Sequence, residues 1–228
     1  MNAPRMPIGI SSFEMLRDQG YYYVDKSTFV VEVGESAPAI LLLPRPRRFG
    51  KTLNMTMLQA WYERRPDGSN VTHLFKGLCA ETTEGRHQPL KGKLPVIFLT
   101  FKDIKKSTWE ATLDEVAIVV ASEVRRLLPW FQQTNLNANT MADLQALGSG
   151  DSRKSLLNQA LKLLTEALHL ASGERPLLLI DEYDAPIHAA LTNGFFKEAV
   201  EFFRNFLSAG LKRQLPYLEG CSHRDFAS

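Results

Sequence analysis

The stretch PRPRRFGKT, Pro44 to Thr52, follows the apolar run Ala39 to Leu43 and precedes Leu53, Met57, Leu58 and Trp61, which recur at helical spacing. A strand, a basic turn and an amphipathic helix in that order form a layout in which backbone N–H groups at a helix N-terminus can receive an anion. Gly50 permits close backbone approach, Lys51 brings a positive charge, and the Thr52 hydroxyl can reach a metal ion beside a phosphate. The helix is expected from Lys51 to about Arg64, ending near Pro66. Against the phosphate-loop pattern GxxxxGK[ST], Arg45 stands where the first glycine belongs, so the turn must form without that residue's freedom at positive φ. Pro44 and Pro46 stiffen it and remove donors, and Arg45, Arg47 and Arg48 offer charge-assisted hydrogen bonds in their place. The plain alternative is a solvated basic turn.

Far downstream, LLLIDEYDAP, Leu177 to Pro186, supplies the complementary half. Leu177 to Ile180 reads as a buried strand, and Asp181, Glu182 and Asp184 cluster at its end. Carboxylates there are costly without a cation, and a magnesium ion bridging phosphate oxygens supplies one. One acid can hold the metal shell while the next polarises a water. The alternative is a charged loop after a strand. Either block alone is weak; their order and strand contexts strengthen both.

With these blocks in view, MPIGISSFEMLRDQGYYYVDKSTF, LLLPRPRRFGKTLNMTML, LLLIDEYDAPI and FFRNFLSAGL together resemble the AAA-ATPase-like family of bacterial and archaeal proteins, from Met6 to about Leu211. In that family a P-loop ATPase domain is commonly followed by a restriction-endonuclease-like domain. The resemblance implies an α/β fold, a P-loop NTPase-like three-layer sandwich with a mainly parallel sheet, using ATP and Mg2+. It implies Walker A contacts from Arg45, Arg47, Arg48, Phe49, Gly50, Lys51, Thr52 and Leu53. Thr52 and the Walker B Asp181 would serve the metal, and Glu182, aided by Lys51, the catalysis. Asp184 reads as a support for the site or as the N-cap of the segment after it.

Composition narrows the rest. With 228 residues and 44% hydrophobic content the chain can bury a core as one domain, and a net charge of +2 gives no global field for nucleic acid. Cys79 and Cys221 lie far apart without metal-ligand spacing, which fits a reducing compartment, with Cys79 read as a small packed residue. No leader pattern opens the chain and no apolar run reaches membrane-spanning length, so a cytoplasmic protein with no membrane partner is expected. A nucleic-acid role for Arg45, Arg47, Arg48 and Lys51 ranks below nucleotide binding. By resemblance, nucleic acid enters only through a nuclease-like domain outside this chain.

Alternating strands and helices suggest a parallel sheet covered on both faces. An amphipathic segment is expected over Ser12 to Gln19. Two readings stand for Tyr21, Tyr22 and Tyr23: a platform for a nucleotide base, or packing on the first helix. Asp25 and Lys26 read as a surface ion pair. Asp67 to Lys93 reads as a polar surface excursion in which His73 and His87 lack partners. Pro95 to Phe101 reads as a strand buried on both faces. Ser107 and Glu110 suggest a capping box opening a helix that Pro129 stops, with Leu113, Val116, Ala117, Val120 and Val124 inside. Gln132 to Gly150 reads as a loop or weak helix. A long helix over Arg153 to Ala171, capped by Asp151 or Ser152 and stopped by Gly173, carries the stripe Leu156, Leu157, Leu161, Leu164 and Leu168. His188 reads as a surface residue.

Phe195 to Leu211 reads as a last helix with Phe196, Val200, Phe203 and Leu207 facing inward. The domain is expected over residues 1–211, with 212–228 as an atypical tail. That tail, KRQLPYLEGCSHRDFAS, contains no apolar run long enough for a buried strand, so the sheet is expected to be incomplete at its C-terminal end. Strands flanking a missing neighbour would stand about 9.6 Å apart, twice the usual spacing. Weak or absent turnover, marginal stability and self-association through strand edges are the expected consequences. A nucleotide-regulated binding module without turnover is the alternative to an ATPase.

Overall fold

A computed structural model of the chain describes residues 5–36, 41, 50–82 and 89–211. It is α/β, mostly helical, with a small parallel sheet of two strands among the described residues, β1 (Val96–Thr100) and β2 (Leu177–Asp181). The Leu177 N–H donates to the Pro95 carbonyl at 2.9 Å and sets the register. Of the strand expected over Ala39 to Leu43, only Leu41 is described, and it lies in no strand. Residues 212–228, and with them the expected tail, lie outside the described residues.

The chain divides into two compact units, Met1–Val96 with Leu177–Asp181, and Ile97–Pro176 with Glu182–Ser228. In the first, α1 (Phe13–Asp18) is capped by the Ser12 hydroxyl, which accepts the Met15 N–H. It is followed by α2 (Thr28–Ser36), α3 (Lys51–Tyr62) and α4 (Cys79–Thr82). Phe13 and Phe75 lie 4.7 Å apart between ring centroids, and Trp61 meets the same Phe75 edge-on at 4.7 Å. The polar excursion expected over Asp67 to Lys93 therefore needs correcting: Val71, Leu74, Phe75, Leu78 and Ala80 are buried. Their apolar spacing was masked by the polar residues between them. His73 is exposed, as expected, and His87 lies outside the described residues.

The YVDK block also works differently from the expected surface pair. Asp25 accepts the Ser27 N–H at 2.8 Å and the Cys79 N–H at 2.7 Å, while the buried Ser27 hydroxyl accepts the Ala80 N–H at 2.9 Å. Asp25 and Ser27 thus satisfy donors at the start of α4. Burial pushes the Asp25 carboxyl up, but the bonds from Cys79 and Ser27 outweigh it and leave the group below its ordinary value. Cys79 is exposed, not packed.

In the second unit, α5 (Trp109–Gln132) is capped by Thr108, whose hydroxyl accepts the Ala111 N–H, one residue past the expected Ser107. It runs through Pro129 instead of stopping there. A proline inside a helix costs about 3 kcal/mol, which burial of Trp130 and Phe131 beyond it offsets. The polar stretch before Gly150 is α6 (Ala138–Gly148), capped by Asn137 and anchored by buried Leu144 and Leu147. The leucine stripe of α7 (Lys154–Ser172) is buried as expected, and Gly173 ends the helix at φ 74°. Its N-cap is Arg153, and Asp151 instead accepts the Arg153 N–H and guanidinium.

Next come α8 (Ala185–Asn193) and α9 (Phe196–Leu211). The inner face of α9 is Ala199, Phe202, Phe203 and Phe206, joined by the preceding Phe195; Phe196 is exposed, and Val200 and Leu207 are half-buried. The expected face was rotated because five phenylalanines in the twelve residues 195–206 fit more than one stripe, and contacts decide among them. Phe202 and Phe206 stack at 5.7 Å, and Phe203 meets Phe101 edge-on at 5.5 Å.

The edge of β1 is closed by a side chain. Because the Pro95 carbonyl points toward Leu177, the Phe98 N–H points the other way. There it donates to the Glu123 carboxylate of α5 at 2.7 Å. Glu123 is buried and held bidentately by Arg126 at 2.8 Å.

Candidate functional site

The first unit brings Thr52 of the first sequence block against Asp181 of the second. Gly50 is the N-cap of α3 at φ 71°, ψ 27°, a left-handed conformation that its missing Cβ makes inexpensive. Its carbonyl accepts the Asn54 N–H at 2.9 Å and so starts the helix. No side chain among the described residues caps this end, and first-turn N–H groups have no intrahelical acceptors. Lys51 and Thr52 occupy that turn and are half-buried. The end of α3 is therefore positive in both dipole and charge.

Asp181 ends β2 and is buried, at 3% exposure. Thr52 Oγ1 donates to Asp181 Oδ2 at 2.7 Å, a contact between residues 129 apart in sequence. Among the described residues, this neutral hydroxyl is the side-chain partner seen for the buried carboxylate, which favours a cation beside it. The pair offers two hard oxygen donors of the type magnesium prefers, and its remaining positions suit phosphate oxygens and water. Among the described residues no group of three or more His, Cys, Asp or Glu gathers into a metal site, so any cation here depends on its ligand to complete the shell.

Glu182 follows Asp181 with φ 50°, the only non-glycine at positive φ among the described residues. Such a conformation costs about 1–2 kcal/mol for an L-residue and concentrates at functional turns. The Glu182 carbonyl accepts the Ala185 N–H at 3.0 Å, so the turn leads directly into α8. Asp184 is the N-cap residue of α8, and its carboxylate stands 3.6 Å from the exposed His188 ring. Leu53 is half-buried on α3. Arg45, Arg47, Arg48 and Phe49 lie outside the described residues.

Of the two tyrosine readings, packing holds for Tyr23. Its ring meets Phe13 edge-on at 5.6 Å, and its hydroxyl donates to Met57 Sδ at 3.1 Å while accepting the Lys26 N–H at 3.2 Å. Burial raises its pKa, partly countered by the Lys26 N–H. Sequence reasoning missed Thr56, one turn beyond Thr52. Its hydroxyl receives the Phe13 N–H at 3.0 Å and lies 3.0 Å from the Ser11 carbonyl, fastening the N-terminal segment to α3. Its i, i+4 spacing from Thr52 was the available signal.

Among the described residues no helix is long and apolar enough to cross a membrane. No solved structure matches the chain. A protein of Azotobacter chroococcum mcd 1, named "Uncharacterized protein in vnfD 5'region", is 30% identical over 197 residues, which cover 84% of this chain and 31% of that protein. The chain thus spans about a third of the length of this relative. The family described as "Predicted AAA-ATPase" matches residues 7–221, a span that includes the Gly50–Thr52 turn, β2 and the helices between them. The chain therefore belongs to the AAA-ATPase-like family.

Proposed function

We propose that this chain binds ATP with Mg2+ and hydrolyses it, within a P-loop sandwich. The observation that carries the reading is the 2.7 Å bond from Thr52 to Asp181, which puts a hydroxyl at a positive helix end against a buried carboxylate. First-turn N–H groups of α3 and the Lys51 ammonium receive the β- and γ-phosphates, and Arg45, Arg47 and Arg48 add charge-assisted bonds. Thr52 and Asp181 would hold the metal, which when bound neutralises charge on the phosphate oxygens. Glu182 orients a water for attack on the γ-phosphorus. As the new P–O bond forms and the bond to the β-phosphate oxygen breaks, the water's proton passes to the Glu182 carboxylate.

Calorimetry with ATP, with and without Mg2+, and a phosphate-release assay test this together. Magnesium-dependent binding that Lys51→Ala weakens at least tenfold, together with steady release, is the expected result. Binding without release would make the domain a nucleotide-regulated module instead of an ATPase. Equal ATP affinity in parent and Lys51→Ala would remove the assignment.

A further inference from the structure

We propose that the Asn54 side-chain amide is a further phosphate ligand at the first turn of α3, donating its N–H groups to an oxygen of the bound phosphate chain. This rests on the nucleotide reading above and adds to it a contact outside the GKT turn. Seven polar side chains are buried among the described residues, and six of them have a partner within the fold. Ser27 meets the Ala80 N–H, Glu63 the Gln59 amide, Thr112 and Thr165 helix carbonyls, Glu123 the Phe98 N–H, and Asp181 the Thr52 hydroxyl. Asn54, 6% exposed, is the seventh, and no described residue bonds to its side-chain amide.

An amide withdrawn from water and left unpaired is costly, and each such group in a fold needs a reason. Packing does not supply one here. The rest of the buried face of α3 is Met57, Leu58, Ala60, Trp61 and Tyr62, apolar apart from the Tyr62 hydroxyl, which donates to the Val30 carbonyl at 2.6 Å. Leucine at position 54 would have nearly the same size and would favour the helix more.

Position gives the ligand. The Asn54 N–H donates to the Gly50 carbonyl at 2.9 Å, which fixes the residue one turn into the helix. Helical side chains lean toward the N-terminus, so the amide is directed back over Gly50 and Lys51, four and three positions earlier on the same face. Thr52 is two positions away, about 200° round the axis. Asn54 and the Thr52–Asp181 pair therefore flank the first-turn N–H groups from different sides. An anion received by those N–H groups and by Lys51 offers only acceptors, and the Asn54 amide carries two donors. A phosphate oxygen on that side takes a donor that nothing in the described fold uses.

The test measures affinity for ATP and for inorganic tripolyphosphate, each with Mg2+, and the thermal midpoint of the ligand-free protein, in the parent, Asn54→Leu and Asn54→Ala. Leucine keeps the volume and alanine adds none, so a loss shared by both does not come from bulk in the site. Both variants should bind ATP and tripolyphosphate about tenfold more weakly, as expected for a lost charge-assisted hydrogen bond. Asn54→Leu should melt no lower than the parent, because it removes an unpaired buried amide. A midpoint several degrees lower in Asn54→Leu would mean that the amide has a partner within the protein and would overturn the proposal. A loss confined to ATP would also overturn it, by placing the amide on the sugar or base. If Lys51→Ala weakens both ligands while the Asn54 variants match the parent, the Asn54 contact falls and the nucleotide reading stands. A parent that binds neither ligand overturns both.

Discussion

The Thr52 hydroxyl donates to the Asp181 carboxylate at 2.7 Å, so the first turn of α3 and the last residue of β2 share one hydrogen bond. Strand and helix are each specified by local sequence. Their meeting is what makes an anion-receiving helix end and a buried acid into one candidate site. Removing either side chain should therefore act on nucleotide affinity as well as on stability.

Asp181→Asn and Thr52→Ala should each lower affinity for ATP in the presence of Mg2+ by tenfold or more, about 1.4 kcal/mol, with a smaller effect when Mg2+ is absent. Titration calorimetry in the two conditions reads the difference. An identical loss with and without the metal would assign the pair to scaffolding.

Glu182 separates strain from chemistry. Glu182→Gly relieves an L-residue held at φ 50° and should stabilise the fold by about 1 kcal/mol while removing turnover. Glu182→Gln should retain both the strain and nucleotide binding, also without turnover. Denaturant melts paired with phosphate release report the two effects, and a Gly variant that is no more stable than the parent would show that the turn is unstrained.

Asp25 gives a signature in acid. Its carboxyl sits below the ordinary value because the bonds from Cys79 and Ser27 outweigh the upward push of burial. The folded pKa is thus lower than the unfolded value of about 3.9. The stabilisation is present above that pH and is lost as pH falls through the folded value. Urea midpoints measured from pH 7 down to 3 should fall less steeply for Asp25→Asn than for the parent.

Gly34 and Tyr62 should show a reversal of sign. The Tyr62 hydroxyl donates to the buried Val30 carbonyl at 2.6 Å, and a Cβ on Gly34 would stand 2.7 Å from that hydroxyl oxygen. Gly34→Ala should therefore destabilise the parent. In a Tyr62→Phe background the next ring atom is 3.8 Å away, and the same change should stabilise by about 1 kcal/mol through helix propensity. A double-mutant cycle with no coupling would contradict this geometry. Burial also raises the Tyr62 pKa to about 12, so its contribution is present below about pH 10 and fades as pH rises through 12.

Glu123 tests the closure of the sheet edge. Glu123→Ala leaves the Phe98 N–H without its acceptor and Arg126 without its carboxylate, and should cost about 2 kcal/mol. Light scattering should show increased self-association if the freed donor exposes a pairing edge. Unchanged stability would mean that water replaces the carboxylate.

Much of this architecture was legible in order along the chain. The leucine stripe of α7, the apolar runs of β1 and β2 and Gly173 as a stop are all local, because helix and strand periods and stop chemistry involve residues within a few positions of one another. The GKT turn and the acids after Ile180 were legible for the same reason. Tertiary structure decided the rest. It chose which phenylalanines of α9 face inward, carried α5 through Pro129, buried Phe75 in a stretch that reads as polar, and turned Asp25 from a surface charge into an acceptor for α4. In each case the deciding partner is distant in sequence, and burial against it outweighs a local preference of about 1–3 kcal/mol. The Thr52–Asp181 contact belongs to this second group: the sequence supplies both side chains, and only packing of α3 on β2 brings them within 2.7 Å.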